Sequence, residues 1–398
     1  MNDPSGEAQT TEVPDPSRLV AVPEGLPSRL QHFIGGESVD GGSGETFPLA
    51  EPVSNRTFAQ VAAGDARDVD RAVRAARVAF EGGWRDLAPR ARSKILKRVA
   101  DGIESRAERL AEYESFDTGL PITQAKGQAA RAAENFRLFA DLIVGLHEDA
   151  FRSAGQLRYV LRRGAGVAGL ITPWNTPFML ETWKAAPAMA AGCSVVLKPA
   201  EWTPLSASLL PEIMAEAGVP DGVFNMVQGI GEVAGAALVT HLGAPLISFA
   251  GETTTGQVNM RATADNLKAL SMELGGKSPA LVFADADLEA ALDGCVFGVF
   301  SLNGERCTAG SRILVERSAT TGSSSVSQIG HGRWWWAFPR TRGPRSARSS
   351  IRSITSVCSV TSTPGRGRVP AWSRGAGAPL TSRRATSWHR PSLPMSPR

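Results

Sequence analysis

The chain has 398 residues and a formal net charge of +4, with 42% hydrophobic and 21% charged residues. These proportions are typical of soluble globular proteins, and the length predicts two or three domains. No apolar run is long enough for a membrane helix, and the acidic N-terminus does not resemble a signal peptide. With four cysteines and no CxxC pair, the sequence favours a cytoplasmic protein without a metal site.

Charge is distributed unevenly along the chain. Residues 318–398 contain 13 arginines but no lysine and no acidic residue. Residues 1–317 therefore carry 30 basic and 39 acidic side chains. Because the basic character is confined to the last part of the chain, the overall charge is poor evidence for nucleic-acid binding.

The first part of the chain is predicted to contain a tail, short strands and three helices. Residues 1–28 are expected to be disordered, and 32–49 to form short strands with glycine turns. An apolar stripe predicts a helix over 65–80, and two more helices are predicted over 92–119 and 128–146. The members of the stripe are Val69, Ala72, Val73, Ala76 and Phe80.

Short apolar runs alternate with helical stretches in the middle of the chain. The runs cover residues 166–172, 194–200, 223–229 and 246–251. This alternation predicts an α/β fold with a parallel sheet that is buried on both faces. Polar residues follow the end of each run, where ligands of such sheets bind. The sequence therefore predicts a ligand site at the carboxyl ends of these strands.

A further strand and helix are predicted within residues 278–300, and a last strand within 311–318. Beyond residue 318 the periodicity fails. Residues 318–398 hold 17 serines and five of the nine tryptophans, without a sustained helical stripe or strand alternation. This segment is predicted to be unstructured.

Cys307 differs from the other cysteines in its surroundings. It lies in "FSLNGERCTAG" among charged and small polar residues, whereas Cys193 and Cys295 lie in apolar runs. An arginine neighbour and a glycine-permitted bend favour an accessible thiolate. Free cysteine is also a common core residue, so the local context leaves a nucleophile and a core residue equally open.

The oxidation of an aldehyde through a thioester needs a thiolate nucleophile and a nicotinamide that accepts the hydride. It also needs a donor for the oxyanion and a base that activates water. Asn175 in "ITPWNTPF" and Glu273 in "SMELGGKSP" could fill these roles. Each also has a simpler interpretation, because Asn often forms turns and Glu before Gly-Gly is often a solvated loop charge.

Five motifs decide between these interpretations. "PWNTPF", "KPAEWTP", "FAGETTTG", "MELGGKSP" and "NGERCTAGSR" occur in the order typical of the aldehyde dehydrogenase superfamily, which the chain resembles from about residue 30 to 317. The resemblance implies a Rossmann-like NAD domain followed by an α/β catalytic domain. It also implies that Cys307 is the nucleophile, Glu273 the general base, Asn175 the oxyanion donor and Lys184 a proton-relay residue.

The same resemblance implies NAD as the cofactor, bound without a GxGxxG loop. The phosphate-binding counterpart is Gly251-x-Thr253-x-x-Gly256, which opens a helix. The implied cofactor residues are Thr172, Pro173, Trp174, Lys198, Glu201, Gly231, Gly235, Phe249, Gly251, Glu252, Thr255 and Leu274. Glu201 would bind the ribose hydroxyls and repel a 2′-phosphate, which favours NAD over NADP. Glu252 departs from the usual small hydroxyl residue, so its carboxylate is expected to face outward or bond elsewhere.

Within the superfamily the motifs look most like 5-carboxymethyl-2-hydroxymuconate semialdehyde and 2-hydroxymuconic semialdehyde dehydrogenases. A semialdehyde from aromatic catabolism is therefore the expected substrate, with no nucleic-acid or membrane partner. The expected domains are a tail over 1–28, an NAD domain over 29–272 and the start of a catalytic domain over 273–317. An oligomerisation segment near 141–165 implies a homodimer or homotetramer for an in-frame parent.

Members of the superfamily continue well beyond the position of Cys307, and the segment 318–398 does not resemble them. Its bias towards Arg, Ser, Pro, Gly and Trp resembles GC-rich DNA read in another frame, so a frameshift near codon 318 is predicted. The alternative is a basic disordered tail for an anionic surface, although tryptophans are rare in disorder. Two functions stay open: an active NAD-dependent dehydrogenase, or a catalytically defective remnant that at most binds NAD.

Overall fold

The structure is a computed structural model that describes residues 21–316 and Ser318. The strands are β1 (Arg29–Leu30), β2 (His32–Ile34), β3 (Glu37–Val39), β4 (Thr46–Ala50), β5 (Thr57–Ala62), β6 (Ala150–Ser153), β7 (Gln156–Tyr159), β8 (Val167–Ile171), β9 (Ser194–Lys198), β10 (Phe224–Met226), β11 (Leu246–Gly251), β12 (Ala269–Leu274), β13 (Pro279–Val282) and β14 (Arg312–Val315). The helices are α1 (Ala66–Ala79), α2 (Pro89–Ser105), α3 (Ala107–Thr118), α4 (Ile122–Gly145), α5 (Pro177–Ala190), α6 (Leu210–Glu216), α7 (Ala236–Thr240), α8 (Thr253–Thr263) and α9 (Leu288–Phe300).

A seven-stranded sheet forms the centre of the described chain, in the order β12-β11-β8-β9-β10-β2-β3. The strands from β12 to β10 are parallel, and β2 and β3 add an antiparallel edge. The predicted α/β class and the four predicted strands β8 to β11 are confirmed. The sequence did not predict β12 as a strand, nor that β2 and β3 join this sheet.

Both faces of the sheet are buried at β8, β9 and β10, as the apolar runs predicted. In β9, Val195 and Leu197 pack in the apolar cluster that also holds residues of α2, α4, α5 and α6. Val196 points the other way, into a cluster with residues of α1 and α7. Successive side chains of a strand point to opposite faces, so a run without polar residues supplies both layers.

The helix predicted over 65–80 is confirmed as α1. Asp65 caps its N-terminus, accepting from the backbone N–H groups of Arg67 and Asp68, and the Asp68 side chain accepts from Asp65 N in return. This reciprocal arrangement satisfies helix-end donors that would otherwise lack partners. The predicted apolar stripe is buried from Val69 to Ala76.

The single helix predicted over 92–119 is wrong, because the chain forms α2 and α3 with a break at Arg106. This residue leaves the helical conformation, with φ of −109° and ψ of 12°. Its guanidinium group contacts Glu212 and Glu216 of α6, at 3.1 and 2.7 Å. The apolar stripe continues through the break, so the stripe could not reveal it. The predicted end is confirmed, since Gly119 closes α3 in the left-handed conformation that favours glycine.

Part of the predicted disordered tail is packed on the body. Leu26 packs against the main apolar cluster, and Gly25 O accepts a hydrogen bond from the Tyr113 hydroxyl at 3.0 Å. Residues 21–28 therefore differ from the prediction, whereas residues 1–20 lie outside the described chain. The predicted boundary between residues 272 and 273 falls inside β12, which pairs with β11 along its whole length.

Two pairs of strands form small sheets that are separate from the seven-stranded sheet. β6 and β7 form an antiparallel hairpin within the predicted oligomerisation segment, and β13 and β14 form a parallel pair. In the part of the chain that the structure describes, none of the helices combines the length and apolar character needed to cross a bilayer. The predicted tail over 319–398 lies outside the described residues.

Candidate active site

The sequence-predicted site residues follow strands that are neighbours in the sheet. β12, β11, β8 and β9 lie side by side and run parallel, so their carboxyl ends meet at one edge. Four groups of predicted residues end up there, after or at the last positions of these strands. They are Thr172 to Asn175 after β8, Lys198 and Glu201 at β9, Gly251 and Glu252 at β11, and Glu273 and Leu274 at β12.

Lys198 and Glu201 form an ion pair of 2.7 Å between Nζ and Oε2. Lys198 is only 2% exposed, and burial lowers its pKa despite the neighbouring carboxylate. Burial also acts to raise the pKa of Glu201, but Lys198 and the backbone N–H groups of Glu201 and Gly231 outweigh it, so this pKa lies below its usual value. Glu201 is therefore an ionised acceptor at the edge of the sheet.

Glycines at this edge let side chains and backbone approach closely. A Cβ atom at Gly251 would lie 2.6 Å from the ring of Phe249, and one at Gly256 would lie 2.8 Å from Leu274. Phe249 itself is buried in the cluster on the α7 side. The predicted Gly231 and Gly235 bound a short π-helical turn that leads into α7. A side chain at Gly251 or Gly256 would therefore have to displace the side chain of Phe249 or Leu274.

Polar groups at the same edge are available to a ligand. The Thr172 hydroxyl is buried and has no hydrogen-bond partner among the described residues. Glu252 begins α8 without capping it by its side chain, and Thr255 is exposed in the first turn. Backbone N–H groups at a helix start attract anions, so α8 could hold a phosphate group.

Two exposed tryptophans lie beside this edge. Trp174, after Pro173, is 42% exposed, and its ring centroid is 6.1 Å from that of Trp202. The Thr203 hydroxyl donates to Trp174 O at 3.2 Å, which ties the loop after β8 to the loop after β9. The two loops therefore form one wall of the site.

Asn175 links the loop after β8 to the loop that carries Cys307. Its Nδ2 donates to Glu305 O at 2.8 Å, and its Oδ1 accepts from Thr176 N at 3.0 Å. Cys307 is exposed. Its carbonyl oxygen lies 4.0 Å from where a Cβ atom at Gly276 would be, so the turn after Glu273 is adjacent.

Lys184 approaches the same region from α5. Its side chain is buried, and its Nζ donates to Ser248 Oγ at 2.9 Å. Burial lowers the pKa of Lys184 to about 8, against the opposing effect of the Glu273 carboxylate. Glu273 is exposed in β12 and pairs with Ala250 of β11.

The structure thus brings the predicted residues into two groups at one edge of the sheet. Lys198 and Gly231 both contact Glu201, while Asn175 and the turn after Glu273 meet the Cys307 loop. Within the described chain the Cys307 thiol makes no hydrogen bond to Asn175 or Glu273. No three His, Cys, Asp or Glu side chains among the described residues are arranged to hold a metal ion.

Sequence analysis missed two features of this site and misplaced a third. Ser248 bonds to Lys184, and burial raises the pKa of Glu305, two residues before the nucleophile candidate, to about 7. A lone hydroxyl in the apolar run of β11 and a carboxylate inside the cysteine motif were the available signals. Arg306 was expected beside the thiol, but its Nε donates to Ser301 Oγ at 3.0 Å and its guanidinium lies 5.2 Å from the Phe297 ring.

Comparison with known proteins identifies relatives of this arrangement. The model of the aldehyde dehydrogenase family matches residues 39–323. A 2-hydroxymuconic semialdehyde dehydrogenase of Pseudomonas sp. (strain CF600) is 44% identical over 295 residues, which are 72% of this chain and 61% of that protein. A 5-carboxymethyl-2-hydroxymuconate semialdehyde dehydrogenase of Escherichia coli is 43% identical over 292 residues, 73% of this chain and 61% of that protein.

Solved structures show the same similarity. HpcC from Thermus thermophilus is 50% identical with a TM-score of 0.72, over 77% of this chain and 59% of that one. The NAD+ complex of an aldehyde dehydrogenase from Bacillus cereus is 39% identical with a TM-score of 0.72, over 73% of this chain and 60% of that one. The chain thus spans about three fifths of the length of the relatives it matches.

Proposed function

Since the chain belongs to the aldehyde dehydrogenase family, we propose that its site supports the NAD-dependent oxidation of an aldehyde to a carboxylic acid. The observation that carries this proposal is the hydrogen bond between Asn175 Nδ2 and Glu305 O. It holds an amide donor against the loop of the exposed Cys307, beside the turn that follows Glu273.

In the first step, the Cys307 thiolate attacks the carbonyl carbon and forms a thiohemiacetal. Negative charge develops on the former carbonyl oxygen, and a fixed donor near it lowers the barrier. The Asn175 amide has two N–H bonds, and Glu305 O accepts only one of them. The second N–H is the donor that we assign to the oxyanion.

The cofactor residues fit NAD. The ionised Glu201, held by Lys198 and by Gly231 N, can accept hydrogen bonds from both hydroxyls of a ribose, and the start of α8 can hold a pyrophosphate. The unpaired Thr172 hydroxyl offers a further contact. Bound NAD would accept the hydride that leaves the thiohemiacetal.

Hydrolysis of the resulting thioester is assigned to Glu273. Its carboxylate would take a proton from a water molecule, which then attacks the thioester carbonyl. Lys184 lies on the same side and interacts electrostatically with Glu273, so it would hold or pass on that proton. The product is a free carboxylic acid rather than an acyl-coenzyme A thioester.

The proposed substrate is a semialdehyde from aromatic catabolism, because the two quoted bacterial relatives are named for hydroxymuconic semialdehydes. The proposal includes a cytoplasmic homodimer or homotetramer for the in-frame parent. The β6–β7 hairpin, which exposes Phe151, Leu157 and Tyr159, supports an assembly through this segment.

A direct test measures NADH formation by the full chain and by its in-frame parent, with 2-hydroxymuconic semialdehyde and with a short aliphatic aldehyde. Turnover that prefers the semialdehyde and yields the free acid supports the proposal. A thioester product with coenzyme A would contradict the role of Glu273. No NADH formation combined with clear NAD binding in calorimetry would instead favour the second candidate.

That second candidate is a catalytically defective protein that at most binds NAD. One observation favours it: within the described chain α9 has no buried residue, although its sequence is strongly apolar. Phe297 of α9 and Leu281 of β13 are 63% and 61% exposed. A Cys307 loop that follows such a poorly packed helix would be held less firmly than catalysis requires.

A further inference from the structure

Ser248 is the polar exception on an otherwise apolar strand. In β11, Ile247 and Phe249 are buried in the cluster on the α1 and α7 side. Alternation along the strand directs Ser248 to the opposite face, where α5 packs. There its Oγ accepts a hydrogen bond of 2.9 Å from Lys184 Nζ.

Strand register places Glu273 on that same face. β11 and β12 are parallel, with Ser248 beside Ser271 and Ala250 beside Glu273. Leu270 and Met272 of β12 pack in the α1 and α7 cluster, so Ser271 and Glu273 face the α5 side. The bond to Ser248 therefore holds Lys184 one strand away from the proposed general base.

A buried ammonium group needs an acceptor. Lys184 is only 6% exposed, and Ser248 Oγ is the acceptor that it contacts within the described chain. Losing that partner would leave the ammonium charge buried without an acceptor. The free-energy penalty of such an unsatisfied charge is larger than the net stabilisation that the hydrogen bond contributes. Lys184 would then deprotonate more easily or move away from the sheet.

We propose that Ser248 is a positioning residue that fixes the Lys184 ammonium group on the Glu273 side of the sheet. The positioning itself depends only on the geometry of α5, β11 and β12. Its importance for turnover rests on the proposed function, so the two are tested by separate measurements.

The first measurement is an NMR titration of the lysine Cε resonances in the full chain, with Lys184 assigned from the signal that is lost in Lys184→Arg. Ser248→Ala should lower the pKa of Lys184 by about one unit, since a hydrogen bond to a charged group is worth about that much. Ser248→Thr keeps a hydroxyl and should restore the original titration. Ser271→Ala, on the neighbouring strand and the same face, is the matched control and should change nothing.

An unchanged Lys184 titration in Ser248→Ala would overturn the proposal, as would an equal shift in Ser271→Ala. If Ser248→Ala unfolds, Ser248→Cys gives the same test, because a thiol is a weak acceptor. The second measurement is the pH dependence of kcat. In Ser248→Ala, the pH at which kcat responds to the ionisation of Lys184 should shift by the same amount and in the same direction as the pKa from the NMR titration. Ser248→Thr should return that pH to its original value. A titration shift without turnover in either the unmodified chain or its in-frame parent refutes the proposed function but supports the positioning.

Discussion

At the scale of single residues, exposure separates the cysteines. Cys193 is buried, and its sulfur accepts a hydrogen bond from Ala165 N at 3.3 Å. Burial raises the pKa of Cys193, which disfavours its thiolate. Cys307 is exposed at the edge of the sheet where the polar residues meet. Only the second environment suits a nucleophile.

In the in-frame parent, Cys307→Ala should reduce aldehyde-dependent NADH formation to background while NAD binding in calorimetry stays unchanged. The matched control is Cys193→Ala, which should keep any turnover but lower the free energy of unfolding by about 1 kcal/mol through a small cavity. Turnover at the unmodified rate in Cys307→Ala would remove Cys307 from the mechanism.

The Lys198–Glu201 pair leads to a prediction about cofactor choice. A 2′-phosphate would bring like charges together beside the Glu201 carboxylate in a partly buried place. Glu201→Gln should therefore narrow the preference for NAD over NADP by about tenfold, or ~1.4 kcal/mol. Dissociation constants for both cofactors check this without turnover. Equal affinity for NAD and NADP in the unmodified chain would contradict the role of Glu201.

At the scale of elements, α3 and α5 bury three carboxyl groups together. They belong to Glu114, Asp117 and Glu181, and burial raises the pKa of each, that of Glu114 to about 7. Both oxygens of Glu181 lack a hydrogen-bond partner among the described residues. Protonation removes the cost of burying these charges, so we expect the stability contributed by the packing of α5, which carries Lys184, to depend on pH.

Glu181→Gln should raise the thermal unfolding temperature more at about pH 8 than at about pH 5. The folded-state pKa of Glu181 lies above its unfolded value, so the folded chain keeps a proton that the unfolded chain releases. The free energy of unfolding therefore falls as pH rises from the pKa of Glu181 in the unfolded chain towards its pKa in the folded chain. A glutamine side chain does not ionise, so the variant avoids this loss. Glu134→Gln on the exposed face of α4 is the control. A gain for Glu181→Gln that does not depend on pH would show that its charge is not the cause.

At the scale of the whole molecule, α9, β13 and β14 leave apolar side chains in solvent. Phe283, Phe297 and Leu314 are exposed, and a shallow apolar depression between α9 and β13 is lined by residues such as Leu281 and Cys295. Apolar surface of this kind promotes association. It lies at the end of the stretch that matches the family, before the proposed change of reading frame near codon 318.

We predict that the chain as written aggregates or runs as irregular species in size-exclusion chromatography and forms little NADH. A version with the reading frame restored at codon 318 should form a defined oligomer and turn over, because its added residues would cover these apolar faces. Both proteins are compared in the same chromatography and NADH absorbance experiments. A defined oligomer with equal turnover for the chain as written would refute the frameshift proposal.

The local sequence determined several of the strands, the start of α1 and the edge of the sheet at which the site lies. Apolar runs of about strand length produced β8 to β11, because a strand buried on both faces tolerates few polar residues. Acidic residues before an apolar stripe marked the start of α1. Motifs that follow the predicted strands also placed Asn175 and Glu201 at one edge of the sheet, since parallel strands share the direction of their carboxyl ends.

Tertiary structure decided the rest. β12 has no buried residue and lacks an apolar run, so only its pairing with β11 makes it a strand. The break at Arg106 coincides with contacts to α6, more than a hundred residues later in sequence. Ser248 meets Lys184 from another element, 64 residues away. Such contacts join residues that are distant along the chain, and local periodicity carries no information about which distant residue will be the partner.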